Sequence, residues 1–242
     1  MSEWQERASL LFKEEGLDKL KNANVLIVGL GGVGSFAAEF LTRAGIGSLT
    51  IVDGDTVDIT NINRQLPALH STIDQPKVKI VGDRLMDINP ELKLTRLEEF
   101  LSPERALEVV NNDFDYVLDC IDSVSPKINL ILAAKRKKVK VISAMGAGGK
   151  YLAAKVVVKD ISKTEVCPLA KQIRKRLKKE GISSGVKSVF STEVPDVSSL
   201  KMTDGKNYKK SFFGTNSWIP GLFGLHMAEH VVRHILTRET VK

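Results

Sequence analysis

The apolar run Val25-Leu26-Ile27-Val28 leads straight into Gly29-Leu30-Gly31-Gly32-Val33-Gly34, and a helix-compatible segment from Ser35 to Thr42 follows. This junction constrains the chain more than any other feature. A short, uninterrupted apolar run reads as a strand buried on both faces. Glycines spaced G-x-G-x-x-G between a strand and a helix let the backbone approach a phosphate, whose charge is met by N–H groups and the positive end of the helix. Leu49-Thr50-Ile51-Val52-Asp53 supplies the next strand, completing one β-α-β unit. Asp53 lies 19 residues beyond Gly34, where a carboxylate can accept bonds from a ribose diol. The bland alternative is a tight turn needed only for close helix packing. On these features a nicotinamide dehydrogenase and an ATP-using enzyme fit equally well. A P-loop is excluded, because no G-x-x-x-x-G-K-[ST] occurs.

Further along, the apolar pattern predicts a helix over 77–88, a strand over 92–97, a helix over 103–111, a strand over 116–120, a helix over 126–137 and a strand over 139–143. Such alternation predicts an α/β class, a Rossmann-like, mostly parallel sheet with helices on both faces. Before it, residues 4–21 read as a helix ending at Gly16 plus one further turn. After Gly149 the rhythm changes: an exposed strand over 151–158, a basic helix over 168–180, two strand candidates within 181–217 and a final helix over 221–237. We therefore divide the chain into a nucleotide-binding core, 1–150, and a basic C-terminal extension, 151–242.

Charge is also uneven along the chain. Residues 1–120 carry 12 Lys and Arg against 20 Asp and Glu, and residues 121–242 carry 24 against 9. A net of −8 is thus followed by +15, and the basic half hints at a polyanionic partner. Two cysteines in 242 residues make no disulfide framework and fit a reducing, cytoplasmic address. The start, Met1-Ser2-Glu3-Trp4, lacks the pattern of a signal peptide, and no stretch reaches the roughly 18 apolar residues of a membrane span. No membrane association is expected.

Three polar clusters separate the two nucleotide readings. Asp53-Gly54-Asp55 through Asn61-Ile62-Asn63-Arg64-Gln65 brings a guanidinium near the glycine loop, and Gln75-Pro76-Lys77 brings an amine at a helix start. Two cations exceed what a dehydrogenase pyrophosphate requires, whereas nucleotidyl transfer needs them as pyrophosphate leaves. Asp119-Cys120-Ile121-Asp122 places two carboxylates at a strand end, one of which can hold Mg²⁺ on those phosphates. The plain alternatives are a surface salt bridge for Arg64, an ordinary helix lysine for Lys77 and a helix cap for Asp122.

These motifs, Gly29-x-Gly31-Gly32-x-Gly34, Asp53-x-Asp55-x-Val57, Asn61-x-x-Arg64-Gln65, Gln75-Pro76-Lys77 and Asp119-Cys120-Ile121-Asp122, resemble those of the ubiquitin-activating-like superfamily of adenylating enzymes, the ThiF, MoeB and HesA group. Within it the chain is most similar to the tRNA threonylcarbamoyladenosine dehydratases. The supporting pieces are Arg7-Ala8-x-Leu10-Leu11, Asp122-Ser123-Val124-x-Pro126-Lys127, Gly146-Ala147-Gly148-Gly149, Asp160 to Thr164, Pro168 to Lys178 and Val189 to Glu193.

The resemblance implies ATP-dependent activation of the threonylcarbamoyladenosine carboxylate at position 37 of tRNA. An acyl adenylate and pyrophosphate form, and ring closure expels AMP. Carried over by position, Gly29, Gly31, Gly32 and Gly34 would line the nucleotide, Asp53 and Asp55 its ribose side, and Asn61, Arg64 and Lys77 its phosphates. Asp122 would coordinate Mg²⁺, and Arg7 would reach across a homodimer. The implied partners are tRNA, a second copy of the chain and a sulfurtransferase. The runner-up readings are adenylation of a small sulfur-carrier protein's C-terminus and an NAD-dependent oxidoreductase; a noncatalytic RNA-binding subunit is the non-enzyme reading.

Cysteine chemistry is not expected: Cys120 reads as a buried strand end, Cys167 precedes a helix, and two cysteines make a tetrathiolate zinc site impossible. His226, His230 and His234 share a helix face but read as packing spacers rather than a metal stripe. In the basic helix Leu169, Ile173 and Leu177 are expected to pack, leaving Lys171, Arg174, Lys175, Arg176, Lys178 and Lys179 as a candidate tRNA backbone surface. Lys135 to Lys140 and Lys206, Lys209 and Lys210 would extend the track; a merely solvated lysine face is the alternative.

Overall fold

The computed structural model describes residues 3–202 and 211–238. Its centre is a seven-stranded sheet built from β1 (Asn24–Val28), β2 (Ser48–Val52), β3 (Lys93–Leu97), β4 (Tyr116–Asp119), β5 (Lys140–Ala144), β6 (Val156–Asp160) and β7 (Lys187–Ser191). The order is β3-β2-β1-β4-β5-β7-β6, parallel throughout except for the antiparallel edge strand β6. Alternation along β1 divides the core: Val25 and Ile27 join one apolar cluster, Leu26 and Val28 the other. On the first face lie α1 (Glu6–Lys21), α2 (Gly34–Ala44), α3 (Lys77–Ile88) and α7 (Trp218–Leu236); on the second lie α4 (Pro103–Val109), α5 (Val124–Arg136) and α6 (Pro168–Lys179). The predicted α/β class and sheet are therefore present.

Sequence order reverses between β1 and β4, so the loops after these two strands open a crevice at their carboxyl ends, the place where open α/β sheets bind ligands. The basic half completes this same sheet. Strand β7 pairs with β5 through Ser143 and Ser188, and β6 pairs with β7.

Several boundaries differ from the expectations. The first helix does not end at Gly16 but kinks at Lys13, with φ 60°. Gly16 is instead a packing glycine, since a Cβ there would lie 2.9 Å from Leu236 Cδ2 on α7. The last helix starts three residues early, because Pro220 sits in its first turn, where no N–H is needed. The exposed strand predicted over 151–158 begins only at Val156, after a 3-10 turn over Ala153–Lys155. A small pair, β8 (Leu200–Met202) and β9 (Ser211–Phe213), follows β7. Lys206, Lys209 and Lys210 lie outside the described residues. Among the described residues no helix is long and apolar enough to cross a membrane.

Candidate active site

The glycine loop leaves β1 through Gly29, whose φ of 92° favours a residue without Cβ. Gly34 begins α2, and a Cβ on it would lie 1.7 Å from the Gly29 carbonyl oxygen. Gly31 is different: a Cβ there meets only the Gln65 side chain, 3.6 Å away. Gly29 and Gly34 thus shape the turn, while Gly31 keeps its surface open to a ligand. The Gln65 amide oxygen beside it is buried without a hydrogen-bond partner. This cradle at a helix N-terminus, with an orphaned polar atom, fits a nucleotide phosphate chain. Gly34→Ala is expected to lower stability by about 1–3 kcal/mol and abolish ATP binding. Gly31→Ala should melt like the parent while weakening ATP, a contrast readable by thermal denaturation and calorimetry.

Asp53 follows β2 and points back at the loop. Leu30 N–H donates to its Oδ2 (2.5 Å) and Asp55 N–H to its Oδ1 (2.8 Å). Burial raises its pKa, opposed first by the Lys77 ammonium. Lys77 reaches this edge because the chain folds back on itself: Val57 N–H donates to Gln75 O (2.9 Å) and Lys77 N–H to Asp55 O (3.0 Å). Its side chain is buried, the residue being 5% exposed, with Nζ 3.1 Å from Asp55 Oδ2. The plain reading, an ordinary exposed helix lysine, does not describe such a group.

Arg64 lies in the segment that folds over Gly32, where its own carbonyl oxygen would be 3.1 Å from a Cβ. Its Nη1 donates to Thr60 O and Asn63 Oδ1, each at 2.9 Å. Burial lowers its pKa, and the Asp122 carboxylate is the strongest opposing influence. Asn61 is buried and its Oδ1 accepts from Asp58 N–H (3.3 Å), fixing the turn before Arg64.

The two carboxylates at the end of β4 have different tasks. Asp119 is fully buried against an equally buried Lys127: Lys127 Nζ is 2.7 Å from Asp119 Oδ2, and Ser143 Oγ donates to the same oxygen (2.6 Å). Asp122 is exposed beside the crevice, its Oδ1 accepting from Ser123 Oγ (3.3 Å). Asp119 acts on the site indirectly, since its Oδ1 accepts from Ile121 N–H (3.2 Å) within the turn that carries Asp122. Lys127 had no recognisable spacing to Asp119 in the sequence. Among the described residues no group of three or more His, Cys, Asp and Glu side chains could hold a metal. A carboxylate plus nucleotide phosphates is nevertheless the usual Mg²⁺ arrangement, and Asp122 offers that carboxylate.

Arg7 is not brought to the crevice within one chain. Gln5, two residues before it, lies against Gly45 at the far end of α2 from the glycine loop. Of the six basic residues of α6, two are engaged by the fold: Arg174 donates to Thr164, and Arg176 Nη1 donates to Ser125 Oγ (2.9 Å) in the first turn of α5. Lys171, Lys175, Lys178 and Lys179 face solvent. The packing face is Ala170, Ile173 and Leu177, fully buried, with Leu169 half-buried against the same apolar cluster as expected.

Burial pushes the Cys120 thiol up and leaves it no thiolate character. Cys167 is buried with Sγ near Gly146. The histidine face packs on a tyrosine: His230 Nε2 lies 3.1 Å from Tyr116 Oη, and the His230 and His234 rings meet the Tyr116 ring edge-on.

The chain is similar to known proteins over nearly its whole length. A tRNA threonylcarbamoyladenosine dehydratase of Bacillus subtilis is 41% identical, over 98% of this chain and 96% of its own length. The ATP complex of the E. coli tRNA N6-threonylcarbamoyladenosine dehydratase superposes with a TM-score of 0.86 at 34% identity, covering 98% of this chain and 96% of that one. The AMP complex of that enzyme gives a TM-score of 0.87 at the same identity and coverage. Residues 5–242 match the family description as a whole. The chain belongs to the ThiF family.

Proposed function

We propose that this protein is an ATP-dependent tRNA threonylcarbamoyladenosine dehydratase. The observation that carries the reading is the pairing of a buried Lys77 and a half-buried Arg64 around an open glycine cradle, in a chain that matches such dehydratases end to end. A carboxylate is a poor electrophile. Its oxygen attacks the α-phosphorus of ATP, the bond to the β-phosphate oxygen breaks, and pyrophosphate leaves with the electron pair. Lys77 and Arg64 stabilise charge gathering on that leaving group, and Asp122 would hold a Mg²⁺ ion, which would supply further positive charge there. The carbamoyl nitrogen then attacks the activated carbonyl and loses its proton, and AMP departs with the former carboxylate oxygen. The tethered nitrogen needs no protein nucleophile, because proximity supplies the advantage.

A homodimer completes the assignment. Arg7 lies away from its own crevice, and Leu10 and Leu11 beside it are exposed, so a second copy can present this helix to the partner's nucleotide. Incubation with ATP, Mg²⁺ and tRNA bearing threonylcarbamoyladenosine should release AMP and leave the nucleoside lighter by one water. AMP release only with a sulfur-carrier protein would establish the runner-up instead.

The exposed lysines of α6 form the proposed tRNA backbone surface. Replacing Lys171, Lys175, Lys178 and Lys179 with glutamine should weaken tRNA binding at every sequence. It should also flatten the logarithmic salt dependence by about 1 per lost phosphate contact. An unchanged salt slope would assign these lysines to a solvated face.

A further inference from the structure

We propose that Tyr151 and Trp218 form a stacking platform for a nucleobase of the tRNA, beside the adenosine that reacts. The proposal rests on the tRNA reading above and names how that substrate is gripped. Both side chains are large and substantially exposed, Tyr151 at 56% and Trp218 at 49%. The Trp218 indole and the backbone of Tyr151 are nevertheless anchored. Trp218 Nε1 donates to the Tyr151 carbonyl (2.9 Å), and the Tyr151 and Leu152 N–H groups donate to Glu193 Oε2 (3.0 and 2.8 Å). Asn216, next to the platform, donates to Lys150 O (2.7 Å) and accepts from Ile219 N–H (3.0 Å). Three separate loops are thereby tied into one block, so the backbone that carries both rings is already ordered before binding.

Position supplies the second argument. Pro220, two residues beyond Trp218 in α7, packs over the glycine loop, 3.1 Å from where a Cβ on Gly32 would sit. Thr215 O accepts from Asn63 Nδ2 (2.8 Å), directly before Arg64. Tyr151 follows the glycine run after β5, next in the sheet to the strand that ends beneath Asp122. Both residues are therefore carried by segments that border the nucleotide crevice. For a base-linked carboxylate to reach the α-phosphate, its nucleoside must leave the loop stack, and its neighbours then expose their faces. Aromatic side chains accept such faces whatever the base. Charge favours a nucleic acid over a second copy of this chain as the occupant, since Arg176 of the basic helix bonds Ser125 beside the same rim and residues 121–242 carry 24 Lys and Arg against 9 Asp and Glu.

The chain has two tryptophans, so in a Trp4→Phe background the fluorescence reports Trp218 alone. Titration with threonylcarbamoyladenosine-bearing tRNA should quench it, with a midpoint equal to the Kd from filter binding. Trp218→Ala and Tyr151→Ala should each raise the Kd and KM for tRNA by roughly 10-fold, with the Kd for ATP unchanged. Trp218→Phe, which keeps a ring, should retain most of the affinity. Three results would overturn the proposal: tRNA binding without quenching, unchanged tRNA affinity in both alanine variants, or fluorescence that follows protein concentration instead of tRNA. The first two, obtained together with tRNA-dependent AMP release, refute the platform alone. Absence of tRNA binding and of tRNA-dependent AMP release in the parent protein refutes the underlying function.

Discussion

Lys127→Ala is expected to remove about 3–5 kcal/mol of folding stability, seen as a lower urea midpoint with little change in slope. The residue is wholly buried and bonds both Asp119 and Ser143. Without it, Asp119 is left as an uncompensated charge between two apolar layers. Replacing the whole group, Lys127→Met with Asp119→Leu and Ser143→Ala, should recover most of that loss, because a well-packed apolar set of similar volume is often as stable as a buried ion pair. Turnover should not recover with it. Asp119 Oδ1 also holds the Ile121 N–H, and the turn carrying Asp122 loses that tie. An unchanged midpoint in Lys127→Ala would show that the site relaxes to hydrate Asp119.

The second large effect concerns Lys77 itself. Lys77→Ala is expected to lower turnover about 10²–10³-fold, the usual loss when one positioned group facing developing charge is removed. Its stability loss should be small, because its partner Asp55 is half exposed and can be rehydrated. Pyrophosphate exchange and AMP formation should fall together, whereas Cys167→Ala leaves both near the parent level. In the proposed homodimer, Lys77→Ala and Arg7→Ala subunits, each impaired alone, should regain activity when unfolded and refolded together, since one site of the mixed pair then holds both residues. A stability loss without a turnover loss in Lys77→Ala would reduce the lysine to a structural ion pair.

Sequence alone determined the strand, glycine loop and helix, the alternation that makes the sheet, and the carboxylate of Asp53. Each of these is written in contiguous spacing, where backbone geometry converts residue number directly into position. It also brought forward Arg64, Lys77 and Asp122, because all three follow strand ends. Spacing alone did not choose between Asp119 and Asp122; only the family resemblance pointed to Asp122. Asp119 ends β4 and Asp122 follows it, and only the arrival of Lys127 from α5 and Ser143 from β5 commits the first to the interior. Likewise Arg174 and Arg176 looked identical to the lysines around them until Thr164 and Ser125 met them. Arg7 could be placed at its distance from the crevice only once the kink at Lys13 and the contact of Gln5 with Gly45 were known. The pairing of Tyr151 with Trp218 spans 67 residues and depends on β7 entering the sheet between β5 and β6. Such contacts arise from the order in which strands assemble, which no local periodicity encodes. What the tertiary structure decided is therefore which of the charged and aromatic groups remain available to a ligand and which the fold consumes.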